Sequence, residues 1–247
     1  MAERISGILF DLGDTLLDFG KLDIRSLFES GGRLAYAYLQ ELKLPLPAFA
    51  RFHRRQNWAI RWSYLKSRIT GREFNALDVM GRLGQRMGHD LTPEQMVELA
   101  WRWYTPLGQC AVVEPGTREM LGALARAGIR LGLVSNTFVP GQVLDRHLAQ
   151  EGLLDLLPVR VYSCDVGFRK PDPGIFAVAL SKLQTPADQT LFVGDSPAAD
   201  IAGADRAGLI AVLKDPHDRF ADEAHDARHR IRRLSELPAI VAGYNAD

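Results

Sequence analysis

Short apolar runs that stop at polar residues recur along the chain. Ile5 to Phe10 reaches Asp11 and Gly13, and Ile129 to Val134 reaches Ser135. Val159 to Tyr162 reaches Ser163 and Asp165, Leu191 to Val193 reaches Gly194 and Asp195, and Ala211 to Leu213 reaches Lys214 and Asp215. Runs of this length without polar alternation predict strands buried on both faces. Helical spacing fills the intervals. Leu121, Leu124 and Ala125 before Gly128 predict a helix over Thr117 to Ala127, and Val143, Leu144 and Leu148 predict one over Pro140 to Gln150. Asp172 and Pro173 read as the N-cap and first residue of a helix that buries Ile175, Phe176, Ala179 and Leu180. Pro197 opens another that stops near Gly208. Strand and helix therefore alternate, which predicts an α/β fold: a three-layer, Rossmann-like core with a mostly parallel sheet. Its ligand crevice would lie beyond the carboxyl ends of the strands, where the polar tips converge.

Residues from about Leu16 to Cys110 break the alternation. Phe49, Phe52, Trp58, Trp62, Leu65 and Ile69 recur roughly every three or four positions, and Arg51, Arg54, Arg55, Arg61, Lys66 and Arg68 occupy much of the remaining circumference. Pro93 to Trp103 reads as another helix. The spacing predicts an inserted helical cap over residues 17–110, with residues 1–16 and 111–247 forming a discontinuous core. The tryptophans Trp58, Trp62, Trp101 and Trp103 are expected to pack the cap. The surrounding arginines form either a solvated face or a surface suited to a carboxylate, a phosphate or a partner.

A chain of 247 residues can bury a substantial core and a smaller satellite domain. Its 30 basic and 30 acidic side chains cancel, which argues against an extended footprint for nucleic acid or an anionic membrane, so no nucleic-acid partner is expected. No apolar run approaches a membrane span, and the first residues lack a basic stretch followed by a long apolar one; a soluble, cytoplasmic protein is expected, with no membrane association. Sparse cysteine usage, Cys110 and Cys164, fits a reducing compartment while leaving room for one disulfide. Near the end, His225 and His229 have helix-compatible ligand spacing but lack another convincing ligand, as does His217. A solvated closing segment anchored by Leu234 and Leu237 is the expectation there.

Asp11 and Asp195 each end a strand, Ser135 ends a third, and Lys170 follows a fourth through a short loop. Strands that finish on one face would bring together a carboxylate pair for a hard cation, a hydroxyl, and a positive charge for an anionic substrate. Asp200, five positions beyond Asp195, could support the metal. The strings Phe10-Asp11-Leu12-Gly13-Asp14-Thr15-Leu16, Val134-Ser135-Asn136-Thr137, Arg169-Lys170-Pro171-Asp172-Pro173 and Val193-Gly194-Asp195-Ser196-Pro197-Ala198-Ala199-Asp200 resemble the four ordered motifs of the haloacid dehalogenase-like superfamily, in its capped, phosphatase-like branch. The resemblance covers roughly residues 4–16 and 111–237, and the four motifs together are far more specific than any one. It implies that Asp11 is the nucleophile and a Mg2+ ligand, joined by the Gly13 backbone carbonyl, by Asp195, and by Asp200 directly or through water. It further implies that Thr15, Ser135 and Asn136, or the Asn136 backbone, orient phosphoryl oxygens while Lys170 balances charge. The implied reaction is hydrolysis of a small phosphorylated metabolite through an aspartyl phosphate.

One position departs from the family's pattern. The first motif normally carries a second aspartate two residues after the nucleophile, as proton donor to the leaving group and later as helper to the attacking water; Gly13 stands there and has no proton to give. Asp14 is the adjacent candidate for that work; a cap residue such as His53, a bound water or a readily departing substrate group are others. The departure keeps two alternatives open: a module that binds a phosphometabolite or a protein partner with little catalysis, and a haloacid dehalogenase.

Overall fold

The structure, a computed structural model, describes residues 4–220 and 227–246. Six parallel strands form the central sheet: β1 (Gly7–Phe10), β4 (Arg130–Ser135), β5 (Val159–Tyr162), β6 (Thr190–Gly194), β7 (Ile210–Lys214) and β8 (His229–Ile231). Their order is β5-β4-β1-β6-β7-β8, which places β1 between β4 and β6. The strand-forming residues alternate between two apolar layers. Ile8, Phe10, Leu131, Leu133, Leu191, Val193, Ile210 and Val212 enter one core cluster, while Leu9, Val134, Phe192, Ala211 and Leu213 enter the other. Burial on both faces is why these runs read as continuously apolar.

Helices α5 (Thr117–Arg126), α6 (Gly141–Gln150) and α10 (Leu237–Asn245) contribute Leu121, Leu144 and Val241 to the first cluster. Helices α8 (Pro173–Leu183) and α9 (Ala202–Arg206) contribute Phe176 and Ala204 to the second. A short helix, α7 (Ser163–Val166), follows β5 directly. The sequence signals are realised locally: the Asp172 carboxylate accepts from Gly174 N at 2.7 Å, with Pro173 as the first residue of α8. The segment after β6 starts at Pro197 but opens with a π-helical turn, Pro197–Ile201, before α9.

The insertion leaves and rejoins the core through a two-stranded antiparallel ribbon, β2 (Leu17–Asp18) against β3 (Val112–Val113). Between them stand four helices: α1 (Ile24–Glu41), α2 (Phe49–Thr70), α3 (Ala76–Gln85) and α4 (Pro93–Gly108). Helix α4 starts with a full capping box between Thr92 and Gln95, and Trp103 packs edge-on against Phe28 of α1 at 5.1 Å. Its partner on the core side is α6, through the ion pair Arg146–Glu98 at 2.7 Å and the Arg146 guanidinium 4.1 Å from the Trp101 ring centre.

Helix α2 corrects the expectation that all four tryptophans pack the cap. Phe52, Gln56 and Ile60 face inward, whereas Trp58 is 68% exposed and Trp62 58% exposed, and Leu65 and Ile69 are also exposed. The six-residue step from Phe52 to Trp58 carries the apolar series to another face of the helix, because each residue turns it by about 100°. The result is an inward stripe and an outward one. One further feature departs from the sequence pattern. Residues His229 to Ile231 form the edge strand β8, where His229 meets the Tyr244 hydroxyl at 2.9 Å. His225 lies outside the described residues. Leu234 and Leu237 anchor the closing segment in the core as expected, and both cysteines are free thiols. Among the described residues, no helix is long and apolar enough to cross a membrane.

Candidate active site

The carboxyl ends of β1, β4 and β6, together with the loop after α7, converge on one cavity of about 310 Å³. Asp11, Gly13, Asp14, Ser135, Asn136, Lys170, Asp195 and Asp200 all line it. Residues separated by more than a hundred positions meet because their parallel strands finish on the same side of the sheet. The cap side adds Tyr104 and Leu107 of α4, so the cavity lies where cap and core face each other.

Lys170 is the hub. Its ammonium is buried, donates to the Asp11 carboxylate, lies 2.7 Å from Asp200 Oδ1 and donates to the Val134 carbonyl at 3.0 Å. Asn136 fixes the Lys170 backbone from both sides, accepting from its N–H at 2.7 Å and donating to its carbonyl at 2.8 Å. The Asn136 side chain is therefore committed to Lys170, and only its backbone remains free for a substrate. Ser135 differs: its buried hydroxyl lines the cavity with no hydrogen-bond partner among the described residues.

Thr15, expected at the phosphate, does not line the cavity. Its hydroxyl is buried without a partner among the described residues, and its carbonyl accepts from the buried Lys214 ammonium at 2.7 Å. That contact ties the loop after β1 to the end of β7. Within the loop, Asp14 adopts the left-handed backbone conformation (φ 56°), which Asp tolerates better than most residues. Its N–H donates to the Leu17 carbonyl at 2.7 Å, and its exposed carboxylate accepts from Phe19 N at 3.4 Å. Gly13 is not in that region. A Cβ built on it meets only Phe19 Cε2, at an ordinary contact distance of 3.7 Å. His53 lies elsewhere, stacked on Phe49 and paired with Asn57 inside the cap.

Carboxylate oxygens of Asp11, Asp195 and Asp200 lie within 4.8 Å of one another. Burial, reinforced by the nearby Asp200 and Asp195 charges and opposed by Lys170, pushes the Asp11 carboxyl up to about 7. Burial with the charges of Asp200 and Asp14, partly offset by Arg219 at 3.4 Å, pushes Asp195 up to about 6. Burial alone would depress the Lys170 ammonium, but Asp11 and Asp200 overcome it and hold Lys170 above its ordinary value. Three crowded carboxylates against one buried lysine leave excess negative charge that a divalent cation would relieve. An all-oxygen donor set suits a hard cation rather than zinc or copper.

Sequence reasoning missed Tyr104 and Arg219. Tyr104 is buried and its hydroxyl meets His147 Nδ1 at 2.7 Å. Nothing in its helical spacing distinguishes it from a packing aromatic. Arg219 follows β7 in a polar segment without periodicity, so its approach to Asp195 could not be read from the chain.

Comparison with known proteins agrees with this geometry. Residues 5–208 match the family described as haloacid dehalogenase-like hydrolase. The chain is 32% identical over 192 residues to validoxylamine A 7'-phosphate phosphatase of Streptomyces hygroscopicus subsp. limoneus, covering 77% of this chain and 86% of that protein. It is 32% identical over 149 residues to ribulose-1,5-bisphosphate 5-phosphatase of Halopiger xanaduensis, where the match spans 57% of this chain and 61% of the relative's length. Among solved structures, 2-haloacid dehalogenase of Pseudomonas syringae pv. Tomato DC3000 superposes with a TM-score of 0.65 at 25% identity, covering 98% of this chain and all (100%) of that one. The chain thus belongs to the haloacid dehalogenase-like hydrolase family.

Proposed function

We propose that the protein is a magnesium-dependent phosphatase that hydrolyses a small phosphorylated metabolite through an aspartyl phosphate on Asp11. The observation that carries this reading is the grouping of Asp11, Asp195, Asp200 and Lys170 around one cavity, with the free Ser135 hydroxyl on its wall. The curated relatives reported above act on phosphate esters. A volume of about 310 Å³ suits a small metabolite.

Asp11, Asp195, Asp200 and the Gly13 carbonyl would hold the cation, which when bound lowers the repulsion between a phosphate dianion and the attacking carboxylate. Ser135 and the Asn136 backbone orient phosphoryl oxygens, and Lys170 neutralises charge as it develops. The Asp11 oxygen attacks phosphorus as the bond to the leaving oxygen breaks, and that oxygen takes up a proton. Water then attacks phosphorus, releasing phosphate and restoring Asp11. Asp14, on the cavity wall two bonds along the chain from Gly13's carbonyl, is the candidate for moving those protons. Phosphate release from a panel of small phosphate esters should require magnesium and stop with a chelator. A folded, magnesium-binding protein that turns over none of them would overturn the reading.

The tether on Lys170 gives a separate expectation. Asn136→Ala removes two hydrogen bonds to the Lys170 backbone, which should lower stability by about 1–2 kcal/mol. The kcat should fall about tenfold, since a misplaced ammonium stabilises the transition state less. Chemical denaturation and steady-state kinetics measure both.

Acidity gives another. Asp11 and Asp195 titrate higher in the metal-free folded protein than as ordinary carboxylates, so the folded state binds more protons than the unfolded chain between the usual carboxylate range and about pH 7. Their contribution to stability therefore declines as pH rises through that window. Magnesium needs both groups ionised, so its stabilising effect should grow over the same range. Thermal unfolding at about pH 5.5 and about pH 8 should show the larger magnesium-induced rise at the higher pH. An equal rise at both would contradict the assignment of these two ligands.

A second reading, carbon–halogen hydrolysis, draws on the dehalogenase superposition and on Gly13. Halide release that needs no metal and disappears in Asp11→Asn would favour it.

A further inference from the structure

A second concavity lies on the cap, about 510 Å³ in volume, between α2 and α3. It shares no lining residue with the active-site cavity. Phe52, Ala59, Leu83 and Met87 supply apolar surface, and Arg54, Arg55, Gln56, Trp58 and Arg86 complete the wall. Among the described residues, no acidic side chain lines it. Several guanidinium groups elsewhere in the protein meet a carboxylate, such as Arg160 with Asp145 and Arg230 with Asp215. The guanidinium groups of Arg54, Arg55 and Arg86 make no ion pair or hydrogen bond among the described residues, although they border one groove. Trp58 is 68% exposed, which costs an aromatic ring the favourable burial it would gain in a core. Its ring lies parallel to that of Trp62 (2° between planes, centres 6.0 Å apart), and Trp62 does not line the groove. Trp58 is thus a ring steadied by a neighbour and offered to whatever enters.

We propose that this groove binds a ligand of the nucleoside polyphosphate class, a flat ring on Trp58 with its phosphates met by Arg54, Arg55 and Arg86. Each feature selects part of that chemistry. Three guanidinium forks without partners call for several negative charges, and phosphate supplies them on oxygens that accept paired N–H hydrogen bonds from each fork. An exposed indole next to apolar side chains calls for a planar ring. The volume lies within the range of pockets that hold compounds of this size. Other occupants fit less well. A second copy paired along α2 would set Arg51, Arg54, Arg55, Arg61, Lys66 and Arg68 against themselves, because α2 contains no acidic residue. A bilayer surface is flat and would leave the concavity unfilled.

ATP is the probe, added with magnesium to the 247-residue Asp11→Asn protein, so that no attack by Asp11 can deplete it. Calorimetry should give a dissociation constant of about 10–100 μM, with quenching of tryptophan fluorescence. Adenosine and tripolyphosphate should each bind at least about tenfold more weakly, because each carries half of the recognised chemistry. Trp58→Ala should abolish the quenching and weaken ATP about tenfold, and Arg55→Ala with Arg86→Ala should weaken it about a hundredfold. These side chains are exposed, so unchanged thermal unfolding is expected and checks the fold. Three results would overturn the proposal: no binding up to about 1 mM ATP, binding that survives both sets of substitutions, or tripolyphosphate binding as tightly as ATP. None depends on whether the Asp11 cavity is a phosphatase site.

Discussion

Asp11→Asn should reduce phosphate release by at least about four orders of magnitude while leaving the protein folded. The amide keeps the size of the carboxylate but is a poor nucleophile and a weak ligand for a hard cation, so both functions assigned to Asp11 fail together. The fold should survive for a specific reason. Lys170 retains Asp200 at 2.7 Å and the Val134 carbonyl at 3.0 Å, so its ammonium is not left buried and unpaired. Removing a carboxylate whose ionisation is opposed by burial should even favour the metal-free protein at alkaline pH. Thermal unfolding beside phosphate assays separates the two effects. Residual turnover within about tenfold of the original protein would remove Asp11 from the chemistry.

Gly13→Asp is the second large expectation, in the opposite direction. General acid–base assistance contributes about 10²–10⁴ in rate. A Cβ is accommodated at Gly13, since its nearest neighbour would be Phe19 Cε2 at 3.7 Å, and the backbone is not left-handed. Turnover of substrates with reluctant alkoxide leaving groups should rise by about one to two orders of magnitude, while aryl phosphates, whose leaving groups need no proton, should change only about threefold or less. That contrast separates the readings that Gly13 left open. No gain on either substrate type would mean that another group already moves the proton, Asp14 foremost. Negligible turnover before the substitution and robust turnover after it would instead mark the natural chain as a binding module.

The strand tips were legible because a buried parallel strand is short, apolar and abruptly ended, and because Asp11, Ser135 and Asp195 stand at those ends. The α8 start was equally plain from Asp172 and Pro173, a local signal whose hydrogen bond involves residues two apart. What failed depended on longer relationships. The α2 series reads as one stripe in sequence, but a six-residue interval turns it to a second face and leaves Trp58 and Trp62 outside. The two-residue strands β2 and β3 carry too few positions for any period to emerge. The edge strand β8, with His229 and Arg230 half exposed, lacks the apolar run that marked its neighbours. Within the site, residue types at the strand ends were readable, but their exact partners were not. Asn136 turns to the Lys170 backbone, Thr15 offers its carbonyl to Lys214, and Tyr104 reaches the cavity from the cap, all through contacts spanning tens to hundreds of residues.

The account centres on a bond between Asp11 and phosphorus. Acid quenching during turnover, followed by mass spectrometry of the peptide that carries Asp11, tests that bond directly. A phosphoryl group on Asp11 that forms with substrate, decays as substrate is exhausted and never forms in Asp11→Asn is the predicted result. Continued turnover with the phosphoryl group on another residue would contradict it.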